Sequence, residues 1–289
     1  MTGPEFWQDD RGRQHLRHGP IHLIMEYFGP VNEISQAAQQ AGSYFVNVLN
    51  ELVGELEILR RPINGAYPFL RGPVAQAMAR AVWPLRDDYV TPMAAVAGAV
   101  ADGVLAAAVD GRTLVKAYAN NGGDIALHLS PQSHLDAGVI ADISCGGLAG
   151  QVRLDHLMPV RGVATSGWRG RSCSRGIADA VTVLSPTAAQ ADAAATIIAN
   201  WVDVDHPAIE RIAANELDPD TDLGSIPVTV AVAPMSVGAR RSAVLSGVNR
   251  ARGLLDKGVI LGAMIALGDQ AATVGAVNTE DLLSREGLT

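Results

Sequence analysis

Two alanine-rich segments constrain this chain more than anything else in it. One, Met93–Val109, reads MAAVAGAVADGVLAAAV and follows Thr91-Pro92; the other, Thr187–Trp201, reads TAAQADAAATIIANW and follows Ser185-Pro186. A hydroxyl residue before a proline marks a helix start, because the side chain caps free N–H groups and proline's fixed φ suits the first helical position. Helices are therefore expected over 92–109 and 186–201. Rich in Ala, each can approach a neighbouring backbone closely. Their likeness is compositional and is not a repeat.

Strand signals surround these helices. Ile21 to Phe28 alternates in polarity, and Val31 to Leu59 then turns to helical spacing through Ile34, Ala38, Phe45, Val48, Leu49, Leu52 and Leu56. Thr113 to Ala119 and Ile125 to Leu129 flank Asn120-Asn121-Gly122-Gly123, a hairpin signal because Asn and Gly tolerate positive φ. Further strands are expected at Gly138–Ile143, Gln151–Leu157, Ala178–Leu184, Ile226–Val232 and Val259–Leu267, with a last helix from Ser236 to Leu255. Hairpins with helices inserted between them argue an α+β fold, an antiparallel sheet with packed helices. No GxGxxG follows a strand and no GxxxxGK[ST] is present, which weakens Rossmann and P-loop readings. Residues 1–20 read as a polar N-terminal arm, and no long linker divides 21–289, which reads as a single domain. The arm carries His15 and His18 with Arg11, Arg13 and Arg17; its nearby histidines suggest a metal tract or are simply solvated side chains.

Charge narrows the function classes. The 289 residues carry a net charge of −8, and only Lys116 and Lys257 among the 22 basic residues are lysine. That is no dominant basic face, so no nucleic-acid partner is expected. Cys145 and Cys173 form no CxxC pair, which excludes a disulfide scaffold and a thiolate zinc site. The start of the chain lacks a signal-peptide pattern, and Met93–Val109 is interrupted by Asp102. The expectation is a cytoplasmic protein with no membrane partner.

Three segments offer chemistry. The segment Ala119-Asn120-Asn121-Gly122-Gly123-Asp124 is either a plain hairpin turn or a close-approach site, its glycines turning N–H groups toward a ligand and Asp124 accepting from ribose or adenine. The stretch Arg161–Gly176, RGVATSGWRGRSCSRG, places Arg161, Arg169, Arg171 and Arg175 among Gly, Ser and Thr. It reads as an anion site for phosphate or carboxylate, or as an exposed loop paired to nearby acids. Cys173 within it is a lowered-pKa thiol or a packing residue, with no sequence-adjacent His to make a dyad. On the second helix, Asp192 and Thr196 share a face at i, i+4 and offer hard oxygens of the kind Mg²⁺ takes. With Asn200 they equally form a polar stripe facing water.

AVAGAVAD, NNGGDI, ATSG and ADAAAT in this order resemble the ApbE-like superfamily, whose characterised members are FAD:protein FMN transferases. The matching residues are Ala97-Gly98 with Asp102, Gly122-Gly123-Asp124, Thr165-Ser166-Gly167, and Ala191-Asp192 with Thr196. The motifs span about residues 90–200. The fuller runs MAAVAGAVAD, NNGGDIALHL and TSGWRGRS look closer still to the uncharacterised UPF branch of that superfamily.

The resemblance implies a T-fold-type architecture, often a homodimer, with FAD in a cleft and its pyrophosphate near Mg²⁺. It implies metal ligation by Asp192, Thr196 and the main chain near Ala97. It implies cofactor contacts at Gly98, Asn121, Gly122, Gly123, Asp124, Thr165, Ser166 and Gly167, and a flavinylated protein acceptor. Two departures bear on catalysis. Ala97 stands where the transferases carry Lys, and no His stands in the segment after Thr165-Ser166-Gly167, so Arg169 or Arg171 would have to supply charge. Two functions follow: a flavin-nucleotide protein with Mg-dependent FMN transfer or FAD pyrophosphate cleavage, or a non-transferase acting on an anionic small molecule in the same cleft.

Overall fold

A computed structural model describes residues 3–142, 147–170 and 172–275. Strands β1 (Glu5–Gln8), β2 (Gln14–His18) and β3 (Ile21–Phe28) come first. Helix α1 (Val31–Gly54), the short α2 (Leu56–Leu59), α3 (Pro73–Val82) and α4 (Val96–Val109) follow, α4 being entered through a 3-10 turn at Pro92–Ala95. Next are β4 (Lys116–Asn121), β5 (Asp124–Leu129), β6 (His134–Asp142), β7 (Gly147–Asp155), β8 (Gly162–Ser166), β9 (Ala180–Ser185) and helix α5 (Ala188–Trp201). The chain closes through β10 (Ile209–Ala213), α6 (Ala214–Leu217), β11 (Pro227–Val232), α7 (Val237–Asp256), β12 (Gly262–Leu267) and β13 (Gln270–Gly275).

These elements make two compact units. The first holds the chain up to residue 135 with 154–164 and 185–193; the second holds 136–153, 165–184 and the chain from 194.

In the first unit the strand order is β1-β2-β3-β4-β5-β8, and the pairings are antiparallel. Along β3, Ile21, Leu23 and Met25 are buried while His22 faces water, the period of two that a half-covered sheet requires. Helix α1 buries Ala37, Ala41, Phe45, Val48, Leu49 and Leu52, a stripe of period 3.6. Phe45 is fully buried, a contribution of about 2–3 kcal/mol by area. Helix α4 is packed on most sides, with Gly98, Ala99, Val100, Ala101, Val104, Leu105 and Ala108 buried. It packs on α1, α3, β4 and β5.

In the second unit β9, β12 and β13 pair antiparallel in that order. Every residue of β9 and β12 is buried, so both strands are covered on both faces. Helix α7 packs on β12 and β13, and its Gly247 meets Val202: a Cβ there would lie 2.4 Å from Val202 Cγ2. The Ser236 hydroxyl accepts from Ala239 N at 3.2 Å and caps α7, which matches the expected start of that helix. Strands β10 and β11 form a separate two-stranded sheet, as do β6 and β7.

The antiparallel sheet with packed helices agrees with the expected fold class, and several boundaries are corrected. Residues 5–8 and 14–18, within the stretch read as a polar arm, form two strands at the edge of the sheet. Polar His15 and His18 fill buried positions beside Leu16, so hydropathy hides the strand. The first compact unit begins upstream of residue 21. β8 lies inside the stretch read as an arginine-rich loop, and α3, β10 and β13 were not foreseen. Helix α5 begins at Ala188, not at Pro186: Thr187 Oγ1 accepts from Gln190 N at 3.2 Å, so Thr187 is the cap and Ser185 ends β9. Among the described residues one segment, Pro92–Val109, is long and apolar enough to cross a membrane, and half of it is buried within the protein.

Candidate functional site

The first turn of α4, the β4–β5 turn and the start of α5 converge in the first unit. Gly98 makes this approach possible. A Cβ on it would lie 2.2 Å from Ala188 O and 2.7 Å from Ala189 N, so only glycine lets α4 rest on the first turn of α5. Gly162 on β8 does the same from the sheet, its absent Cβ falling 2.1 Å from the Thr187 carbonyl carbon.

Asp102, one helical turn beyond Gly98, lies on the same face of α4. Its two carboxylate oxygens accept from Ala188 N at 3.0 Å and Ala189 N at 2.9 Å. These are the unpaired N–H groups at the start of α5, so one helix caps another with a carboxylate. Burial pushes the Asp102 carboxyl up to about 6, and the two N–H donors pull against that rise. The sequence left Asp102 undecided; its place four residues after Gly98 was the signal for this role.

Asp192 is the centre of the arrangement. Its Oδ2 accepts from Gly98 N at 3.0 Å. Burial raises its pKa well above the usual carboxylate range, and the negative charges of Asp124 and Asp102 push it the same way. The N–H groups of Gly98 and Ala97 oppose the rise. The β4–β5 turn brings Asp124 there. Gly122 and Gly123 adopt φ of 69° and 115°, and Asn120 Oδ1 accepts from Gly123 N at 2.9 Å. Asn121 Nδ2 donates to Ala97 O at 3.1 Å, which ties the turn to α4.

The structure thus gathers Ala97, Gly98, Asp102, Asn121, Asp124 and Asp192, which lie up to 95 positions apart in the chain. Thr196 sits one turn after Asp192 along α5. Asn200 does not extend a water-facing stripe: its Oδ1 accepts from Arg175 N at 2.9 Å and from Ser174 Oγ at 3.2 Å. Among the described residues no group of three His, Cys, Asp or Glu side chains is placed to hold a metal ion. Any cation here would draw on carbonyl and hydroxyl oxygens as well as carboxylate.

A family model described as "AbpE bacteria" matches residues 5–277. The chain belongs to that family. The match agrees with the resemblance carried by the four motifs and extends it over both flanks. Among relatives of this AbpE-family chain, a UPF0280 protein of Methanopyrus kandleri is 40% identical over 141 residues, 48% of this chain and 54% of that one. A UPF0280 protein of Methanococcus vannielii is 40% identical over 115 residues, 39% and 45% of the two chains. The chain spans about half the length of the curated relatives it matches. Among solved structures, the apo flavinyl transferase ApbE of Pseudomonas stutzeri aligns over 95% of each chain with 12% identity and a TM-score of 0.45. A variant of the flavin transferase ApbE from Vibrio cholerae gives 12% and 0.44 over 94% and 99%.

Other expected site residues of this AbpE-family chain follow along β8 and the turn after it. In the second unit, Thr165 Oγ1 pairs with Thr182 Oγ1 at 2.9 Å, and Gly167 packs on Asp179, whose carbonyl oxygen would lie 2.6 Å from an added Cβ. Ser166 ends β8 half-buried. Asp179 is buried; it accepts from Gly268 N at 2.7 Å and Trp168 Nε1 at 3.3 Å, a junction the sequence reading missed.

The anion-site reading of the arginine stretch is corrected in its first member. Arg161 donates to the carbonyl oxygens of His156, Met158 and Val160 at 3.0, 2.7 and 2.6 Å, so its fork closes a loop. Arg169 lies 3.5 Å from Asp179 Oδ1 and over the Trp168 ring. Arg171 lies outside the described residues. The Cys173 thiol is raised, first by burial and then by Asp218 and Asp222, the opposite of an arginine-activated nucleophile.

Proposed function

We propose that this chain is an ApbE-like, cytoplasmic, flavin-nucleotide-binding protein that holds FAD at the Gly98–Asp192–Asn121 constellation with Mg²⁺. The observation that carries the reading is the Gly98 N–H bond to Asp192, with Asn121 on the Ala97 carbonyl. Together they bring three motifs distant in sequence to one spot. Fit to a cation is supported by the donor chemistry. Asp192 is a carboxylate pushed toward its neutral form first by burial and then by the charges of Asp124 and Asp102, and a hard divalent ion would favour its ionised form. The ligands would be Asp192, the second lone pair of the Ala97 carbonyl and the Thr196 hydroxyl. A bound Mg²⁺ would neutralise charge on a pyrophosphate.

The residues themselves do the positioning. The Gly98 N–H holds Asp192 in place, and Asn121 fixes the Ala97 carbonyl. The glycine turn lets Gly122 and Gly123 approach a ligand closely, and Asp124 accepts from ribose or adenine hydroxyl and amine groups. FMN transfer to a protein acceptor, or cleavage of the FAD pyrophosphate, is the activity this site would support, in a homodimer. Incubation with FAD and Mg²⁺ should release AMP, and Asp192→Ala should slow release by at least about 100-fold. No AMP and no flavinylated product under any metal condition would overturn transfer. A second reading, binding without transfer, is favoured by Ala97 in the family's Lys position and by Arg169 being paired with Asp179. It predicts stabilisation by FAD without AMP release, since a ligand that binds only the native state raises the melting temperature.

A further inference from the structure

Strand β1 is the outer strand of the first unit's sheet, and the turn that follows it fixes which of its backbone groups are left over. Asp9 N donates to Arg13 O at 3.1 Å, which makes Asp9 and Arg13 a hydrogen-bonded pair. In an antiparallel ladder such pairs alternate with non-hydrogen-bonded ones. With Trp7 opposite His15 and Phe6 opposite Leu16, the N–H and C=O of Trp7 point to β2, while those of Phe6 and Gln8 point away from it. No strand lies beyond β1 in the sheet order, and every residue of β1 is exposed. A row of strong donors and acceptors therefore stands at a bare sheet edge, which is a template for another strand.

Two aromatic side chains stand at this edge, Phe6 with 46% and Trp7 with 40% of its surface exposed. Strand alternation puts them on opposite faces. Phe6 meets Phe45 of α1 edge-on at 6.4 Å, and Trp7 stacks on His15 and His22 at 4.9 and 5.5 Å. Both rings are held in place already, so pairing orders little that was free. Local charge also permits two copies to meet here. The chain carries −8, but between residues 5 and 17 Glu5, Asp9 and Asp10 are set against Arg11, Arg13 and Arg17. Like copies repel weakly where their charge cancels locally.

We propose that β1 pairs antiparallel with β1 of a second copy of this chain, about a two-fold axis through Trp7, so that the two sheets join edge to edge. In this register Phe6 lies opposite Gln8 of the partner subunit, and Gln8 opposite the partner's Phe6. Every outward N–H of the two residues then meets an outward C=O. The two Trp7 side chains face each other as a non-hydrogen-bonded pair, the closer kind, and cross-strand aromatic pairs are favourable. An axis through Phe6 would instead set Gln8 against Pro4, which has no N–H to give. Glu5 comes opposite Asp9 of the partner subunit, a like-charge contact. Both carboxylates are already answered, Asp9 by Arg13 at 2.7 Å and Glu5 by Arg17 at 4.0 Å. A self-pairing two-fold closes at two copies. This gives a surface to the homodimer of the proposed function and rests on that homodimer, not on flavin binding.

Sedimentation equilibrium of the tag-free full chain over a micromolar concentration series should show monomer passing to dimer and no further. Amide exchange followed by NMR should slow at Phe6 and Gln8 as the dimer forms, while the Trp7 N–H, bonded to β2, is slow throughout. Gln8→Pro removes an outward N–H and no bond of the β1–β2 ladder, and should weaken the dimer at least about tenfold. Gln8→Ala keeps that N–H and should dimerise within about twofold of the native chain. Trp7→Lys sets like charges across the axis and should weaken the dimer by about tenfold or more. Melting temperatures taken at monomeric dilution separate lost pairing from lost fold. If Gln8→Pro melts early, the Phe6 and Gln8 amides of the native chain decide the matter directly. A chain that stays monomeric would overturn the surface and the homodimer together. A dimer that leaves those two amides unprotected, or one as tight in folded Gln8→Pro as in Gln8→Ala, would overturn the surface alone. Masses growing past the dimer would mean head-to-tail pairing and would overturn the two-fold. FAD binding and AMP release are read separately in every case.

Discussion

The surroundings of Asp192 and the Arg161–Gly176 stretch both look, in sequence, like glycine-rich segments with charge. Around Asp192, burial and then the like charges of Asp124 and Asp102 disfavour the ionised carboxylate, and the backbone N–H groups of Gly98 and Ala97 oppose them. In the arginine stretch two of the cations have protein partners, because three carbonyl oxygens take the Arg161 guanidinium and Asp179 takes Arg169. The difference teaches that clustered charge in sequence counts ions and not their partners.

The largest way to break the comparison is at Gly98. Gly98→Ala puts a methyl against the backbone of Ala188, which cannot move aside, and should cost about 3 kcal/mol or more in urea unfolding. An unchanged midpoint would mean that α4 does not need its close approach to α5. Arg161→Ala should cost about 2 kcal/mol through three stranded carbonyl groups, while FAD affinity changes less than about twofold. A tenfold loss of affinity with stability intact would return Arg161 to the anion site.

Asp102 sharpens the other side through pH. Its folded pKa is raised from 3.8 to about 6, so the folded state binds more protons than the unfolded state between those values. Stability from this group therefore falls as pH rises from about 4 to about 6, and the penalty is fully present above 6. Melting temperatures measured across that window should decline more steeply for the native chain than for Asp102→Asn; equal slopes would sink the assignment. The smallest effect is expected at Arg169→Ala, under about 1 kcal/mol, since the side chain is exposed and its ion pair with Asp179 is screened.

Much of the local structure was legible along the chain. Alternation marked β3, Asn-Gly turn chemistry marked the β4–β5 hairpin, and Ser236 marked the start of α7. Strand β2 was not legible, because buried His15 and His18 hold positions where an apolar residue would have shown the period. Strand β8 was masked by the arginines and glycines around it. Within the candidate site, the sequence supplied Gly98, Asn121, Asp124 and Asp192 as separate motifs, and it left Asp102 undecided.

By itself the sequence determined the α+β class, the family and the residue types of the site, because these rest on local spacing and on motif order. Only the tertiary structure decided that Asp102 caps α5, that Arg161 binds its own loop, and that Asp9, His15 and His22 line up under Trp7. The reason is physical: a carboxylate, guanidinium or imidazole acts according to its partner, and those partners are fixed by how α4, α5 and the strands pack.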